Sequence, residues 1–260
     1  MTTVALLGLG EAGSAFAADL LDAGATLRAY DPKVQPPDGA VACSDEADAV
    51  TGSDLVISVN SAADAVTAAV NGGGALAPDA VWADVNTASP ARKREIAGTL
   101  PEGTLFADVA LMSTVPGLGL RVPMVASGPA AVRAGELLGS LGASVTVLDA
   151  PIGEAAGRKL LRSVFFKGMA AAAVESIEAA RAAGLELETR AEIERELERA
   201  TAALLDRLLE GSRRHAVRRS HEMSAAVEML DGLGVSSRVS AASRDWLDEL
   251  AADATREGDE

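Results

Sequence analysis

Lysine is rare in this sequence, and two of its lysines stand close together. Of 23 lysine and arginine residues only four are lysine, and Lys159 and Lys167 both lie in the stretch "GRKLLRSVFFKG". A lysine whose pKa is lowered by burial can give and take a proton near neutral pH, whereas arginine stays protonated. Lysine at these positions therefore fits proton-transfer chemistry. The alternative is a lysine that reaches from a helix face into water.

A second pattern lies near the start of the chain. "GLGEAG" has the spacing G-x-G-x-x-G, directly after the apolar run "TVALL" and at the start of a helical pattern. In this setting the glycines permit a tight turn, close approach of a pyrophosphate, and packing of helix on strand. The helix N-terminus offers unpaired N–H groups to phosphates. The residues predicted to bind a dinucleotide here are Gly8, Leu9, Gly10, Glu11, Ala12 and Gly13.

An acidic residue follows at the end of the second predicted strand. Asp31 is placed to accept hydrogen bonds from an adenosine ribose, and its charge disfavours a 2′-phosphate, so NAD is the expected cofactor. Lys33 keeps NADP open as an alternative. A glycine turn without a ligand, followed by an aspartate that only opens a loop, is the other interpretation. Val59 and Asn60, at the end of the strand "DLVISVN", complete the predicted cofactor contacts of this half.

Strand and helix patterns alternate up to about Asp149. Apolar runs such as "VWADVN" and "RVPMVASG" alternate with helical stretches, which predicts crossover units and a parallel sheet. After the break "DAPIG" no strand pattern follows. The expected fold class is α/β: a Rossmann-type doubly wound parallel sheet in residues 1–150, followed by an all-α C-terminal domain in residues 151–260.

The predicted C-terminal domain opens with one long helix over residues 154–183. This helix is apolar nearly all round, which predicts burial, and its Phe165 and Phe166 are expected in the core. Because a domain of this size has a small core, we expect it to pack against another subunit, as a homodimer. Three amphipathic helices are predicted to follow, near residues 188–209, 213–231 and 239–254.

Three further segments carry a resemblance to a known family. They are "DVNTASP" at 84–90, "DVALMST" at 108–114 and "GEAAGRKLLRS" at 153–163. In this order and spacing they resemble the β-hydroxyacid dehydrogenase superfamily, which includes 3-hydroxyisobutyrate and 6-phosphogluconate dehydrogenases. The run "KLLRSVFFKG" and the later "RRHAVRRSHEM" are similar to a branch with a phosphogluconate-dehydrogenase-like C-terminal domain of uncertain substrate.

The resemblance implies roles for residues at matching positions. Lys159 matches the family's catalytic lysine, and Ser163, one helical turn later, matches an asparagine. In the family's D-x-[ST]-T-x-x-P loop beside the nicotinamide and substrate, Asn86 replaces the usual hydroxyl residue and Thr87 is kept. The resemblance thus implies Asn86 at the cofactor and Thr87 at the substrate.

A second family loop is strongly altered here. Where the family has D-x-P-V-S-G-G, the last five positions read "ALMST". This difference argues against 3-hydroxyisobutyrate as the substrate. Met112, Ser113 and Thr114 stand in the place of substrate contacts. Lys167 either binds an anionic group of the substrate or is a surface lysine.

The implied activity is that of an NAD(P)-dependent oxidoreductase. Hydride would pass between nicotinamide and the hydroxyl or carbonyl carbon of a small hydroxy acid, with Lys159 as general acid and base. An imine reductase of the same superfamily and a catalytically silent dinucleotide sensor remain as alternatives.

The densest positive run surrounds two histidines. It contains Arg213, Arg214, His215, Arg218, Arg219 and His221. One interpretation is a solvated helix face that offsets an acidic surface. The other is a patch that binds a carboxylate or phosphate, in which Arg214 contacts the substrate.

Composition excludes several classes of partner. A net charge of −15 disfavours nucleic acid and anionic membranes, whose recognition needs clustered Lys and Arg. No apolar run has the length of roughly 18 residues that a membrane span needs, and no signal peptide is recognised. A single cysteine, Cys43, fits a reducing, cytoplasmic location. With two histidines and one cysteine, no metal site is expected.

Overall fold

The chain folds into two units, one formed by Met1–Arg162 and the other beginning at Ser163. A computed structural model describes residues 1–61 and 63–257. The first unit contains all eight described strands, and the second is helical. The dividing point lies inside a long helix. The predicted domain boundary at residues 150 and 151 lies in the turn before that helix and stays a prediction.

One sheet organises the first unit. Its strands are β1 (Thr3–Leu7), β2 (Thr26–Tyr30), β3 (Val41–Ala42), β4 (Leu55–Ser58), β5 (Val81–Asp84), β6 (Leu105–Leu111), β7 (Met124–Ser127) and β8 (Val145–Val147). Their order across the sheet is β3-β2-β1-β4-β5-β6-β7-β8. The direction of winding changes between β1 and β4, which is the switch point of a doubly wound fold.

Helices cover both faces of this sheet. They are α1 (Glu11–Asp22), α2 (Glu46–Val50), α3 (Ala65–Gly73), α4 (Pro90–Thr99) and α5 (Ala131–Ser140). Alternate residues of β1 point to opposite faces, so that Val4 and Leu6 join the core beneath α1 and α5. Ala5 and Leu7 join the core beneath α2, α3 and α4. Both faces of the central strands are buried, which explains their continuous apolar runs.

The predicted doubly wound parallel sheet is confirmed, with one difference at β7. This strand pairs antiparallel with β6, and its pairing with β8 is parallel again. The chain between Leu111 and Met124 contains only the short 3-10 turn Gly119–Arg121. A connection without a crossover helix lets the strand return beside β6 in the opposite direction.

The second unit is built from helices. They are α6 (Glu154–Ala182), which begins in the first unit, α7 (Glu186–Glu198), α8 (Ala202–Arg214), α9 (Ala216–Gly232) and α10 (Arg238–Glu257). The prediction of one helix over residues 188–209 was wrong. The chain is extended at Thr201, with φ −130° and ψ 176°, and this residue precedes a new helix. Threonine favours that position over a helix interior.

The long helix α6 differs from the prediction in its burial. Phe165 and Phe166, expected in the core, are 47% and 43% exposed in the single chain and contact each other edge to face. Leu161 and Val164 are exposed as well. The prediction of burial is therefore wrong for this stretch of the single chain.

Neither a membrane span nor a metal cluster is found in the described part of the chain. Among the helices there, none combines the length and the hydropathy that crossing a bilayer requires. No three histidine, cysteine, aspartate or glutamate side chains within residues 1–61 and 63–257 converge as metal ligands.

Candidate active site

The three glycines of the turn between β1 and α1 have different surroundings. Gly8 has φ 101°, and a Cβ added there would lie 2.7 Å from the carbonyl oxygen of Val59. A Cβ at Gly13 would lie 2.0 Å from the carbonyl oxygen of Gly8. A Cβ at Gly10 would meet no described atom within 4 Å. The fold of the turn itself therefore requires Gly8 and Gly13, whereas the space beside Gly10 is free for a ligand.

A cavity of about 610 Å³ opens beside this turn, at the carboxyl ends of the central strands. Ligands of doubly wound folds bind at this edge, next to the switch point. Predicted site residues that line it are Gly8, Gly10, Glu11, Ala12, Asp31, Val59, Asn60, Asn86 and Thr87. Lining residues that were not among the predicted site residues are Tyr30, Pro32, Glu46, Ser61, Asp64, Thr67, Ala68, Asn71, Val85 and Leu111.

Asp31 connects the second strand to the glycine turn. Its Oδ2 accepts a hydrogen bond from the backbone N–H of Leu9 over 2.7 Å. Its Oδ1 accepts from the N–H groups of Lys33 and Val34. Burial raises the pKa of Asp31, but these hydrogen bonds outweigh burial and lower the pKa below its usual value. Asp31 is therefore a carboxylate held in one position at one end of the cavity. Leu9 contributes to this through its backbone N–H.

Four polar residues form a row across the sheet where the strands end. Ser58 is in register with Asp84, Asp84 with Asp108, and Asp108 with Ser127. All four are fully buried. Buried polar groups need hydrogen-bond partners, so this row requires a set of compensating contacts.

Lys93, on α4, supplies the positive charge for this row. Its Nζ forms an ion pair with Asp84 and donates to the carbonyl oxygen of the same residue over 2.7 Å. Oδ1 of Asp108 lies 3.2 Å from the same nitrogen, an ion-pair contact without hydrogen-bond geometry. Burial raises the pKa of Asp84, and the ammonium of Lys93 opposes this effect. The ionised form of Asp84 thus depends on Lys93.

Asn86 extends the network from the row into the cavity. Its Nδ2 donates to Oγ of Ser58 over 2.9 Å and to Oδ2 of Asp84 over 2.8 Å. Its Oδ1 is buried and has no hydrogen-bond partner among the described residues. The amide nitrogen of Asn86 thus connects the buried row to a residue that lines the cavity.

The other end of the row holds the start of α6. Oδ2 of Asp108 accepts from the N–H groups of Gly153 and Ala156, over 3.1 and 3.0 Å. Oγ of Ser127 accepts from the N–H of Ala155. These contacts fill the unpaired donors of the first helical turn and place a negative charge at the positive end of the helix dipole. The first turns of α6 are therefore fixed against the sheet.

Lys159 projects from the second turn of this anchored helix. Its Nζ donates to Oγ1 of Thr87 over 2.8 Å. Thr87 lines the cavity, whereas Lys159 is not among the lining residues and reaches the cavity wall through this hydrogen bond. Burial lowers the pKa of Lys159, and the positive charge of Lys93 lowers it further. Lys159 is half-buried, and its proton-transfer role stays a prediction, as does the alternative of a lysine that reaches into water.

Other predicted substrate contacts lie outside this cavity's wall. Met112 is half-buried, and Ser113 and Thr114 are exposed in the loop after β6. Ser163, Lys167 and Arg214 belong to the second unit. Arg214 is exposed there, beside a separate surface cavity lined by basic residues of α8 and α9. The roles of all six stay predictions.

The motifs do not indicate the supporting network, although the sequence carries a signal for Lys93. Lys93 is one of only four lysines in a chain whose other basic residues are arginine. As for Lys159, this rarity indicates a specific role for the lysine side chain. A compact ammonium fits between two carboxylates, where the larger arginine fork does not. Asp84 and Asp108 are the first residues of the segments "DVNTASP" and "DVALMST". Their partners Lys93 and Ser127 lie outside both segments.

The cavity's features fit a dinucleotide. Gly10, with free space beside it, Asp31 and Asn86 all line this cavity. Residues of the glycine turn and the start of α1 would hold the phosphates, and Asp31 the adenosine ribose. The nicotinamide ring, which accepts or gives up a hydride, would then be held near Asn86 and Thr87.

Two domain families match the chain. Residues 3–112 match the NAD binding domain of 6-phosphogluconate dehydrogenase. Residues 180–250 match DUF1932, a domain of unknown function.

Individual proteins add further similarity. An uncharacterized 28.5 kDa protein of Methanothermus fervidus is 30% identical over 141 residues, 54% of this chain and 53% of that protein. The chain thus spans about half the length of this curated relative. A conserved protein of unknown function, whose structure revealed similarity with 3-hydroxyacid dehydrogenases, is 26% identical, with a TM-score of 0.61 over 96% of this chain and 98% of the other.

The fold is also that of an imine reductase from Myxococcus stipitatus solved with NADP+. The TM-score is 0.79 at 19% identity, over 97% of this chain and 95% of the other. These findings confirm the resemblance to the β-hydroxyacid dehydrogenase superfamily: the chain joins an NAD-binding domain of the 6-phosphogluconate dehydrogenase type to a DUF1932 domain.

Proposed function

We propose that this protein is an NAD(P)-dependent oxidoreductase that acts on a small hydroxy acid or the corresponding carbonyl compound. Lys159 is its general acid and base. The NAD(P)-binding domain supports the oxidoreductase class, and the position of Lys159 supports the proton-transfer role. That position is the single observation on which the mechanism rests.

Lys159 handles the proton that accompanies hydride transfer. In reduction its ammonium donates a proton to the carbonyl oxygen of the substrate, and in oxidation its neutral amine takes the proton back. A lowered pKa makes both states accessible nearer neutral pH. Thr87 orients the nitrogen through the hydrogen bond to its Oγ1. General acid–base help of this kind contributes roughly 10²–10⁴ in rate.

NAD is the proposed cofactor in preference to NADP. The Asp31 carboxylate stays ionised because its pKa is lowered, and it would repel a 2′-phosphate. Lys33 lines the same end of the cavity, and its positive charge would attract a 2′-phosphate and so favour NADP. Intrinsic fluorescence titrated with NADH and NADPH tests this choice, and binding of neither would remove the proposed function.

A second candidate is reduction of an imine. The loop reads "ALMST" where the family has P-V-S-G-G, and its Leu111 lines the cavity. A loop that departs this far from the family's pattern supports a substrate other than the family's hydroxy acids. A panel of hydroxy acids and cyclic imines, followed by NAD(P)H absorbance, distinguishes the two. Turnover of any compound excludes a catalytically silent sensor.

We further propose a homodimer formed through α6, in the cytoplasm. The exposed apolar side chains Leu161, Val164, Phe165 and Phe166 follow one another along this helix, and a second copy of the chain would cover them. Sedimentation should show a dimer at micromolar concentration. A variant with Phe165→Asp and Phe166→Asp should be monomeric, whereas Val70→Asp, at an exposed valine of α3, should leave the dimer intact.

A further inference from the structure

We propose that Gly153 and Ser127 are positioning residues for proton transfer. They fix the first turn of α6, and this turn sets the place of Lys159 against Thr87. The inference rests on the proposed function in taking Lys159 as the general acid and base. It gives a functional role to a glycine and a serine that were not among the predicted site residues.

Gly153 lies against the first residue of α4 at a distance that excludes a side chain. A Cβ added at Gly153 would lie 2.9 Å from Cβ, 3.0 Å from Cα and 3.0 Å from the carbonyl oxygen of Pro90. Non-bonded carbon atoms normally approach to about 3.5–4.0 Å. Cα and the carbonyl oxygen belong to the backbone of Pro90, so they cannot turn aside as a flexible side chain does. A larger residue at position 153 therefore has to separate the two segments.

Pro90 connects this contact to Thr87. It is the first residue of α4, and the preceding Ser89 caps this helix by accepting a hydrogen bond from the N–H of Arg92. The short loop from Thr87 to Pro90 is therefore fixed to the start of α4. Because Gly153 packs on Pro90, the start of α6 is held directly beside the loop that carries Thr87.

Ser127 fixes the same turn of α6 from the sheet. Its Oγ accepts a hydrogen bond from the N–H of Ala155 over 3.0 Å and donates to Oδ2 of Asp108 over 3.3 Å. The same carboxylate oxygen accepts from the N–H of Gly153. Ser127, Asp108 and Ala155 are fully buried, so water does not replace a bond that is lost there.

Lys159 depends on this turn for its position. It lies six residues after Gly153 in the same continuous helix, about 9 Å further along the axis. Displacing the first turn therefore displaces the Lys159 nitrogen, which lies 2.8 Å from Oγ1 of Thr87. Misplacing a reacting group by about 1 Å can cost about 10² in rate.

Gly153→Ala tests the contact with Pro90. Its kcat, on a substrate found in the panel of hydroxy acids and imines, should fall by about 10- to 100-fold. Its affinity for NADH should stay within about twofold of the wild type, because Gly153 does not line the cavity. A wild-type kcat in a variant that binds NADH normally would overturn the role of Gly153.

Two other glycines provide matched controls. Gly142 has φ 94°, close to the 100° of Gly153, and a Cβ there would meet no described atom within 4 Å. Gly142→Ala therefore adds similar backbone strain without the contact. A Cβ at Gly157, one turn after Gly153, would lie 3.7 Å from Cγ of Pro90, which is an ordinary contact. Both control variants should keep kcat within about twofold, and a fall in either as large as that of Gly153→Ala would overturn the inference.

A double-mutant cycle shows whether Gly153 acts through Lys159. Lys159→Ala alone should lose roughly 10²–10⁴ in kcat. Adding Gly153→Ala should lower kcat further by about twofold at most, because the group that it displaces is already absent. Losses that multiply would overturn the inference. A wild-type kcat in Lys159→Ala would remove the proposed function as well, whereas a wild-type kcat in Gly153→Ala alone would leave the proposed function intact.

Ser127→Ala tests the same turn without adding an atom, and it decides the matter if Gly153→Ala does not fold. It leaves the N–H of Ala155 without its acceptor, so kcat should fall by about three- to tenfold, and this loss should disappear in the Lys159→Ala background. Ser53→Ala, at another buried serine of the first unit, should keep kcat within about twofold. A wild-type kcat in Ser127→Ala, or an equal loss in Ser53→Ala, would contradict the positioning role.

Discussion

Nζ of Lys159 lies 2.8 Å from Oγ1 of Thr87, a residue 72 positions earlier in the chain. The two meet because both are fixed to the same buried row. Thr87 follows β5, which ends in Asp84, and Lys159 follows the turn of α6 that Asp108 anchors. The buried charges of the row thus hold the two segments that carry Thr87 and Lys159.

Two glycines of the turn should differ in what their substitution disrupts: ligand binding at Gly10 and folding at Gly13. Gly10→Ala should leave the thermal midpoint within about 2 °C of the wild type, because its Cβ meets no described atom, and should weaken NADH binding at least tenfold. Gly13→Ala should instead reduce the free energy of unfolding by about 1–3 kcal/mol or more, since its Cβ overlaps the oxygen of Gly8. Thermal melts and fluorescence titrations measure both. An equal loss of stability in the two variants would contradict this division.

Asp31 should control the choice between NAD and NADP. Asp31→Ser removes the charge that disfavours a 2′-phosphate, so the ratio of NADPH to NADH affinity should rise by about tenfold. Asp38→Ser makes the same change in charge at an exposed position of the following loop and should leave the ratio unchanged. Affinities from fluorescence titration give the ratio, and a similar rise in both variants would indicate a general charge effect.

Lys93 should be important for stability as well as position. Lys93→Met leaves two buried carboxylates without their cation, and loss of one partner from such a cluster costs about 3–5 kcal/mol of unfolding free energy. Arg92→Met, which removes an exposed pair with Glu95, should cost at most about 1 kcal/mol. Denaturant titrations compare the two. Equal losses of unfolding free energy in the two variants would mean that the buried cluster stabilises the fold no more than an exposed ion pair does.

The lowered pKa of Lys159 predicts opposite pH profiles for the two directions. Carbonyl reduction needs the ammonium, so its kcat/KM should be constant below the pKa of Lys159 and fall as the pH rises through it. Oxidation needs the neutral amine and should rise over the same interval. Because burial and Lys93 destabilise the ammonium, this interval lies below the usual lysine range. Measuring kcat/KM of both reactions across pH locates this interval. If both reactions rose, or both fell, over the same pH interval, the proton-transfer role of Lys159 would be contradicted.

Much of the fold could be predicted from sequence, because the deciding patterns are local. Apolar runs ending in glycine or aspartate predict buried strands, and the glycine spacing predicts the turn at β1. The antiparallel β7 was missed, since its direction depends on a connection without a helix rather than on its own residues. The break at Thr201 was missed because amphipathic spacing continues across it.

The candidate site was predictable only in part, for a related reason. Motifs identified residues that line the cavity, such as Asp31, Asn86 and Thr87. They did not identify the contacts beneath it, because the partners of Asp84 and Asp108 lie on α4, β7 and α6. Such contacts depend on strand register, which a single sequence does not display.

The most direct test of the mechanism is the turnover of Lys159→Ala on a substrate found in the panel of hydroxy acids and imines. Its kcat should fall by roughly 10²–10⁴, with NADH affinity within about twofold of the wild type, because the lysine transfers a proton and does not hold the cofactor. Lys167→Ala, an exposed lysine two turns further along the same helix, should lose far less in kcat. Turnover of Lys159→Ala at the wild-type rate would contradict the mechanism.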